Sequence, residues 1–127
     1  MRAAIVGSKT FNDYNKLVEF IHETVQKYGL EEISLIVSGG AKGADTLGTQ
    51  FAKENEIELK VFLPEWKKYG RAAGLRRNVE IIDNCDVCFA FWDGKSHGTK
   101  HDIKLCKEKS KRCFVYNYIT GESYESK

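Results

Sequence analysis

Short, nearly continuous apolar runs alternate along the chain with stretches whose apolar residues recur every three or four positions. The runs are Ala3 to Val6, Ser34 to Ser38, Leu59 to Leu63, Asp86 to Phe91 and Arg112 to Tyr116. Strands covered on both faces need such runs, so each predicts a buried β-strand. The stretches between them predict helices at about 13–28, 43–55, 72–84 and 98–109. In the first, Tyr14, Leu17, Val18, Ile21 and Val25 share one face, and Gly29 follows where a left-handed stop is expected. In the second, Ala44, Leu47, Phe51 and Ala52 share a face. Pro64, the only proline, closes the third strand. After Asn117 the chain is polar, and residues 116–127 predict a short edge hairpin or a fraying tail.

Repeated strand–helix units with right-handed crossovers give one doubly wound parallel sheet, a Rossmann-like α/β fold with helices on both faces. No linker, repeat or low-complexity segment interrupts it, so residues 1–127 read as a single domain. With five strands in the order 3-2-1-4-5, the order reverses between the first and the fourth. Such sheets bind ligands beyond the carboxyl ends of the strands at that reversal. Two loops border it, Gly7-Ser8-Lys9-Thr10 and Trp92-Asp93-Gly94-Lys95-Ser96-His97-Gly98-Thr99, with the Gly39-Gly40 loop beside them.

These loops also carry the chemistry. Ser38-Gly39-Gly40-Ala41-Lys42-Gly43-Ala44-Asp45 joins a strand to a helix, where backbone N–H groups and the positive end of the helix dipole suit an anion such as phosphate. A tight turn without a ligand would also use glycines here. The spacing is neither a P-loop, since Lys42 precedes Gly43, nor a dinucleotide fingerprint, since the glycines fall as Gly-Gly-x-x-Gly. In the later loop, Gly94 and Gly98 free the backbone, Lys95 supplies charge, and Ser96 and Thr99 supply hydroxyls. Asp93 either accepts from ribose hydroxyls or caps its own turn, and Trp92 either stacks on a base or closes the strand end. Arg77 and Asn78, at a helix start, reach a phosphate and a base or ribose in one reading and are a solvated helix end in the other.

Bulk properties narrow the partners. Charged residues make up 30% and hydrophobic residues 42%, as in globular proteins. A net charge of +2 is too small for whole-surface binding to nucleic acid, and no long basic stripe interleaved with aromatics is present. No signal peptide precedes the first strand and no apolar run approaches the ~20 residues of a membrane span, so a cytoplasmic location is expected. Cys85 and Cys88 form a C-x-x-C pair, but Cys106 and Cys113 stand too far apart in sequence to complete a zinc site. The cysteines read as core residues, and neither metal nor cofactor is expected.

Four ordered motifs are similar to those of the small SLOG-superfamily domains related to YspA. They are Gly7-Ser8-Lys9-x-Phe11-x-Asp13, Gly39-Gly40-Ala41-x-Gly43-Ala44-Asp45, Gly74-x-x-Arg77-Asn78 and Trp92-Asp93-Gly94-Lys95-Ser96-x-Gly98-Thr99. Lys9 and His97 stand where that family commonly has Arg, and Leu75 where it commonly has Pro. The resemblance implies a Rossmann-like binder of a phosphorylated nucleotide or nucleotide-derived signal, ADP-ribose-like or cyclic, acting as sensor or sequestering sponge. It also implies association into a homo-oligomer, most simply a dimer. Two alternatives come with it: LOG-like N-glycosidic cleavage of nucleoside monophosphates, and DprA-like binding of nucleic acid. In the first, Asp102 takes the place of the LOG glutamate with Arg77 as its partner. Asp is one methylene shorter than Glu, the LOG loop's Pro-Gly-Gly lead-in is absent, and no second acid is expected nearby. A binder that returns its ligand intact is therefore the expectation.

Overall fold

In the computed structural model, which describes residues 1–127, six strands form one sheet in the order β3-β2-β1-β4-β5-β6. The strands are β1 (Arg2–Gly7), β2 (Leu35–Ser38), β3 (Glu58–Val61), β4 (Val87–Trp92), β5 (Arg112–Asn117) and β6 (Ser123–Ser126). All pair in parallel except β6, which folds back antiparallel on β5. The five-strand order expected from the sequence is present, with the tail as the edge hairpin. The Arg112 guanidinium, opposite the Glu125 carboxylate at 2.8 Å, ties β6 to β5. The helices are α1 (Tyr14–Tyr28), α2 (Ala44–Glu54), α3 (Trp66–Tyr69), α4 (Ala73–Asp83) and α5 (His97–Glu108), with a 3₁₀ turn at Gly70–Ala72. None is long and apolar enough to cross a membrane.

Side chains of β4 alternate between two cores because a strand presents successive residues to opposite faces. Val87, Phe89 and Phe91 join Leu17, Phe20 and Ile21 of α1 and Phe51 and Ala52 of α2 on one face. Cys88 and Ala90 join Ile81 and Ile82 of α4 and Leu105 and Cys106 of α5 on the other. The buried phenylalanines thus all lie on the first face, and the second is built of aliphatic side chains and cysteines. The local signals for α1 are used as expected: the Asp13 carboxylate accepts the Lys16 N–H at 3.0 Å, and Gly29 turns left-handed at φ 61.

Two details differ from the sequence reading. The third strand runs from Glu58 to Val61 rather than Leu59 to Leu63 and is largely exposed, because it lies at the sheet edge with only β2 beside it. Beyond it the backbone makes one further bond, from the Phe62 N–H to the Ser38 carbonyl at 2.9 Å. Helix α3 was not expected, since none of its four residues is buried and it has no apolar face to read.

Candidate functional site

The carboxyl ends of β1, β2 and β4 meet the middle of α4 and the start of α5 around a cleft of about 270 Å³. Arg77 and Asn78 stand a full turn inside α4 (Ala73–Asp83), not at the helix start expected from the sequence. The β1 loop contributes Gly7, Ser8, Lys9 and Thr10, and α2 with its loop contributes Ala41 and Asp45. Arg77, Asn78 and Ile81 come from α4, and Asp93, Ser96, Gly98, Thr99 and Asp102 from the β4 loop and α5. Close backbone approach makes the junction. A Cβ on Gly43, whose φ is 80, would strike the carbonyl oxygens of Ser8 and Lys9, so only glycine lets α2 start against the β1 loop. Gly39 gives the same clearance to Arg77, whose Nη1 donates to the Gly39 carbonyl at 2.9 Å.

The Gly39–Ala41 loop is closed on an anion of its own. The Ala41 N–H donates to the Asp45 carboxylate at 3.0 Å, so this loop N–H is already satisfied from within the chain. At the start of α5 the Ser96 side chain caps no backbone N–H and bonds the Thr99 hydroxyl at 3.4 Å instead, and that end opens on the cleft through Ser96, Gly98 and Thr99. The β4 loop is held from within. Asp93 accepts the N–H groups of Lys95 at 2.8 Å and Ser96 at 2.7 Å, which lowers its pKa, and Trp92 Nε1 donates to the Ser96 carbonyl at 3.1 Å. Of the two roles open for Asp93 and for Trp92, each fills the structural one here. The Ser8 and Ser96 hydroxyls meet at 2.6 Å and bridge the β1 and β4 loops.

At the cleft floor stand two acids, against the expectation of a lone one. Asp45 and Asp102 are both buried, at 7% and 5% exposure. Burial pushes Asp45 up to about 6, against the pull of the Ala41 and Gly39 N–H groups and of Arg77. Burial, and after it the neighbouring Asp45, raises Asp102 well above the usual carboxylate range. Its Oδ1 has no hydrogen-bond partner. The sequence could not pair these acids, because α2 starts at Ala44 and α5 at His97 and the two come near each other only across the sheet end. Beside them Arg77 Nε donates to Asn78 Oδ1 at 3.2 Å, and the Asn78 amide lies 3.2 Å from His101 Nδ1.

Of the residues singled out in the sequence, Ser38, Gly39, Gly40, Gly43, Trp92, Gly94 and Lys95 shape the loops without lining the cleft. Lys95 is exposed and contributes its backbone N–H to Asp93. Val6 and Ile81 line the cleft without having been singled out, and Thr10, named only as part of the β1 loop, lines it too. Helical spacing could have found Ile81, three residues after Asn78 on the same face of α4.

A six-stranded Rossmann-like sheet with its polar cleft at the strand reversal defines a class of small α/β domain rather than one activity. Within that class the chain belongs to the YspA, cpYpsA-related SLOG family, whose model matches residues 1–69. That span holds the β1 loop, the Gly39-Gly40 loop and Asp45, and ends before α4 and the β4 loop. The chain is also similar to the Gene 61 protein of Mycobacterium phage D29. The two are 34% identical over 113 residues, which is 81% of this chain and 86% of the phage protein. No solved structure matches the chain.

Proposed function

We propose that the cleft binds a phosphorylated nucleotide or nucleotide-derived signal, ADP-ribose-like or cyclic, and holds it as a sensor or sequestering sponge. The observation that supports this reading is that the start of α5 opens on the cleft, bringing the Ser96 and Thr99 hydroxyls to its wall together with Lys9 of the β1 loop. The ligand's phosphate belongs there and not in the Gly39–Ala41 loop, whose Ala41 N–H already bonds Asp45. A cleft of about 270 Å³ lies at the small end of ligand pockets, so it takes one phosphorylated ribose unit and leaves the rest of a larger ligand over the rim. Native mass spectrometry of the purified protein for a co-purified nucleotide tests the reading. A protein that carries none and binds no phosphorylated nucleotide in titration would refute it.

Gly98 offers a sharper test of position. Nothing lies within 4 Å of where its Cβ would stand, so Gly98→Leu keeps the fold and puts its side chain into the cleft. Affinity for the ligand is expected to fall about ten- to a hundredfold with an unchanged urea midpoint. Unchanged affinity would move the ligand away from the α5 start.

The acid pair favours one second reading, N-glycosidic cleavage. A neutral Asp102 beside Asp45 offers a proton for a leaving base, and glycoside hydrolysis works with two such carboxyls. Incubation with AMP or ADP-ribose, followed by denaturation, is expected to return the ligand intact. Free base in excess over protein, abolished by Asp102→Asn, would transfer the conclusion to this second reading. Homo-oligomerisation belongs to the main proposal, and Leu63, Trp66 and Leu75, all exposed, are apolar surface it would cover. Light scattering is expected to show at least a dimer at micromolar concentration, and a monomer removes that part.

A further inference from the structure

Behind the cleft floor, three thiols that the sequence kept apart come together. Cys88 of β4 and Cys113 of β5 are direct partners in the parallel register, so their side chains leave the sheet side by side. Cys106 comes down on them from the inner face of α5, one turn beyond Asp102. The α5–β5 turn closes the sequence gap between Cys106 and Cys113, and the separation that argued against a metal site disappears. All three are at most 1% exposed and free. Cys85, the other half of the C-x-x-C pair, stands outside the group and directs its thiol to the Ile82 carbonyl.

We propose that Cys88, Cys106 and Cys113 form a trigonal three-sulfur site for a soft monovalent cation, Cu(I). A metal–sulfur bond of about 2.3 Å sets the sulfurs of a trigonal site about 4.0 Å apart. Here the three sulfurs already lie within 4.8 Å of one another, so a metal closes the site with a shift of less than about 1 Å. The donor set selects the ion. Three cysteine sulfurs with no imidazole, and walls of Ala4, Ala90, Ile81, Leu105 and Val115, suit a soft cation, and one thiolate beside two neutral thiols balances its single charge. They exclude the water ligands that Mg²⁺ or Ca²⁺ keeps. Zinc would need a fourth donor, and Cys85 is turned away. Each sulfur that coordinates as thiolate releases its proton to solvent, and no electron moves because copper enters and stays as Cu(I). Full burial makes uptake depend on local opening of the α5–β5 region, so it proceeds slowly.

The test uses the reduced full-length protein, without oxygen, against Cu(I) held by a coloured chelator. Removal of one Cu(I) per chain is expected, with X-ray absorption showing three sulfur neighbours and no oxygen or nitrogen. Cys106→Ala is expected to lose more than about a hundredfold in affinity, since even residues that only support metal ligands cost up to that much. Cys85→Ala is expected to bind as the parent does. Circular dichroism confirms that each variant is folded, and Cys88→Ser serves if Cys106→Ala is not. Copper left entirely with the chelator by the folded parent overturns the proposal. So does a copper centre with fewer than three sulfurs, or a folded Cys106→Ala or Cys88→Ser variant that binds undiminished.

Discussion

Lowering the pH from 8 to 5 is expected to stabilise the folded protein, a direction opposite to ordinary acid denaturation. The cause is the acid pair at the cleft floor. Asp45 titrates near 6 when folded against 3.8 in an unconstrained chain, so between those values the folded state holds a proton that the unfolded state has lost. Stability therefore falls as pH rises through that window. At 1.36 kcal/mol per unit, Asp45 alone costs roughly 3 kcal/mol at neutral pH. Asp102 acts with the same sign, over a window that starts at its unfolded value and reaches well upward. Half-buried His101 opposes them, because its lowered pKa makes protonation below its unfolded value costly. Below about pH 4 the balance reverses: Asp86, held near 2 by Arg2, and Asp93, lowered by its loop N–H groups, lose their stabilising charge. Urea midpoints of the parent should peak on the acid side of neutrality. Asp45→Asn, which keeps an oxygen for the Ala41 N–H, should be more stable than the parent at pH 8 and no different at pH 4. A parent midpoint that climbs steadily from pH 5 to pH 8 would show that these carboxyls are not held neutral.

The largest single-site loss is expected at Gly43. Alanine there must adopt φ 80, which costs about 1–3 kcal/mol, and must also press its Cβ on the Ser8 and Lys9 carbonyls, the latter at 2.7 Å. Backbone does not yield as a flexible side chain does, so overpacking adds about as much again. Gly43→Ala should lower stability by about 3–5 kcal/mol, enough to unfold a marginal domain. Gly98→Ala is the control, since open space surrounds its Cβ and its backbone is helical. Equal urea midpoints for the two variants would mean that α2 can start elsewhere without loss.

These two glycines illustrate how far the sequence reaches. Gly43 and Gly98 look alike in a string of letters, and only the packing of α2 on the β1 loop separates a required glycine from a permissive one. The architecture was legible because apolar runs and helical periodicity alternate cleanly from Ala3 to Tyr116, and chain connectivity rules then order the strands. Edge strand β3 was extended two residues too far, to Leu63 instead of Val61, since the run through Leu63 carries no sign that one face meets water. The loops of the cleft followed from topology, but the internal hydrogen bonds of the β4 loop, which leave Lys95 outside the cleft, did not. The Asp45–Asp102 pair and the thiol group were invisible for one reason. The acids come from α2 and α5 and the thiols from the successive elements β4, α5 and β5, and no spacing rule counts across a crossover.

The self-closed Gly39–Ala41 loop has a kinetic consequence. A loop that waits for its ligand must be ordered at the moment of capture, and that ordering slows arrival and weakens the complex. Here the Asp45 carboxylate and the Arg77 guanidinium keep the loop in one shape while the cleft is empty. On the proposed reading, arrival is then set by diffusion and orientation, and the time a ligand stays by the contacts it would make at the α5 start. Changes at Ser96, Gly98 or Thr99 should therefore lengthen or shorten the dwell time and leave the capture rate nearly untouched.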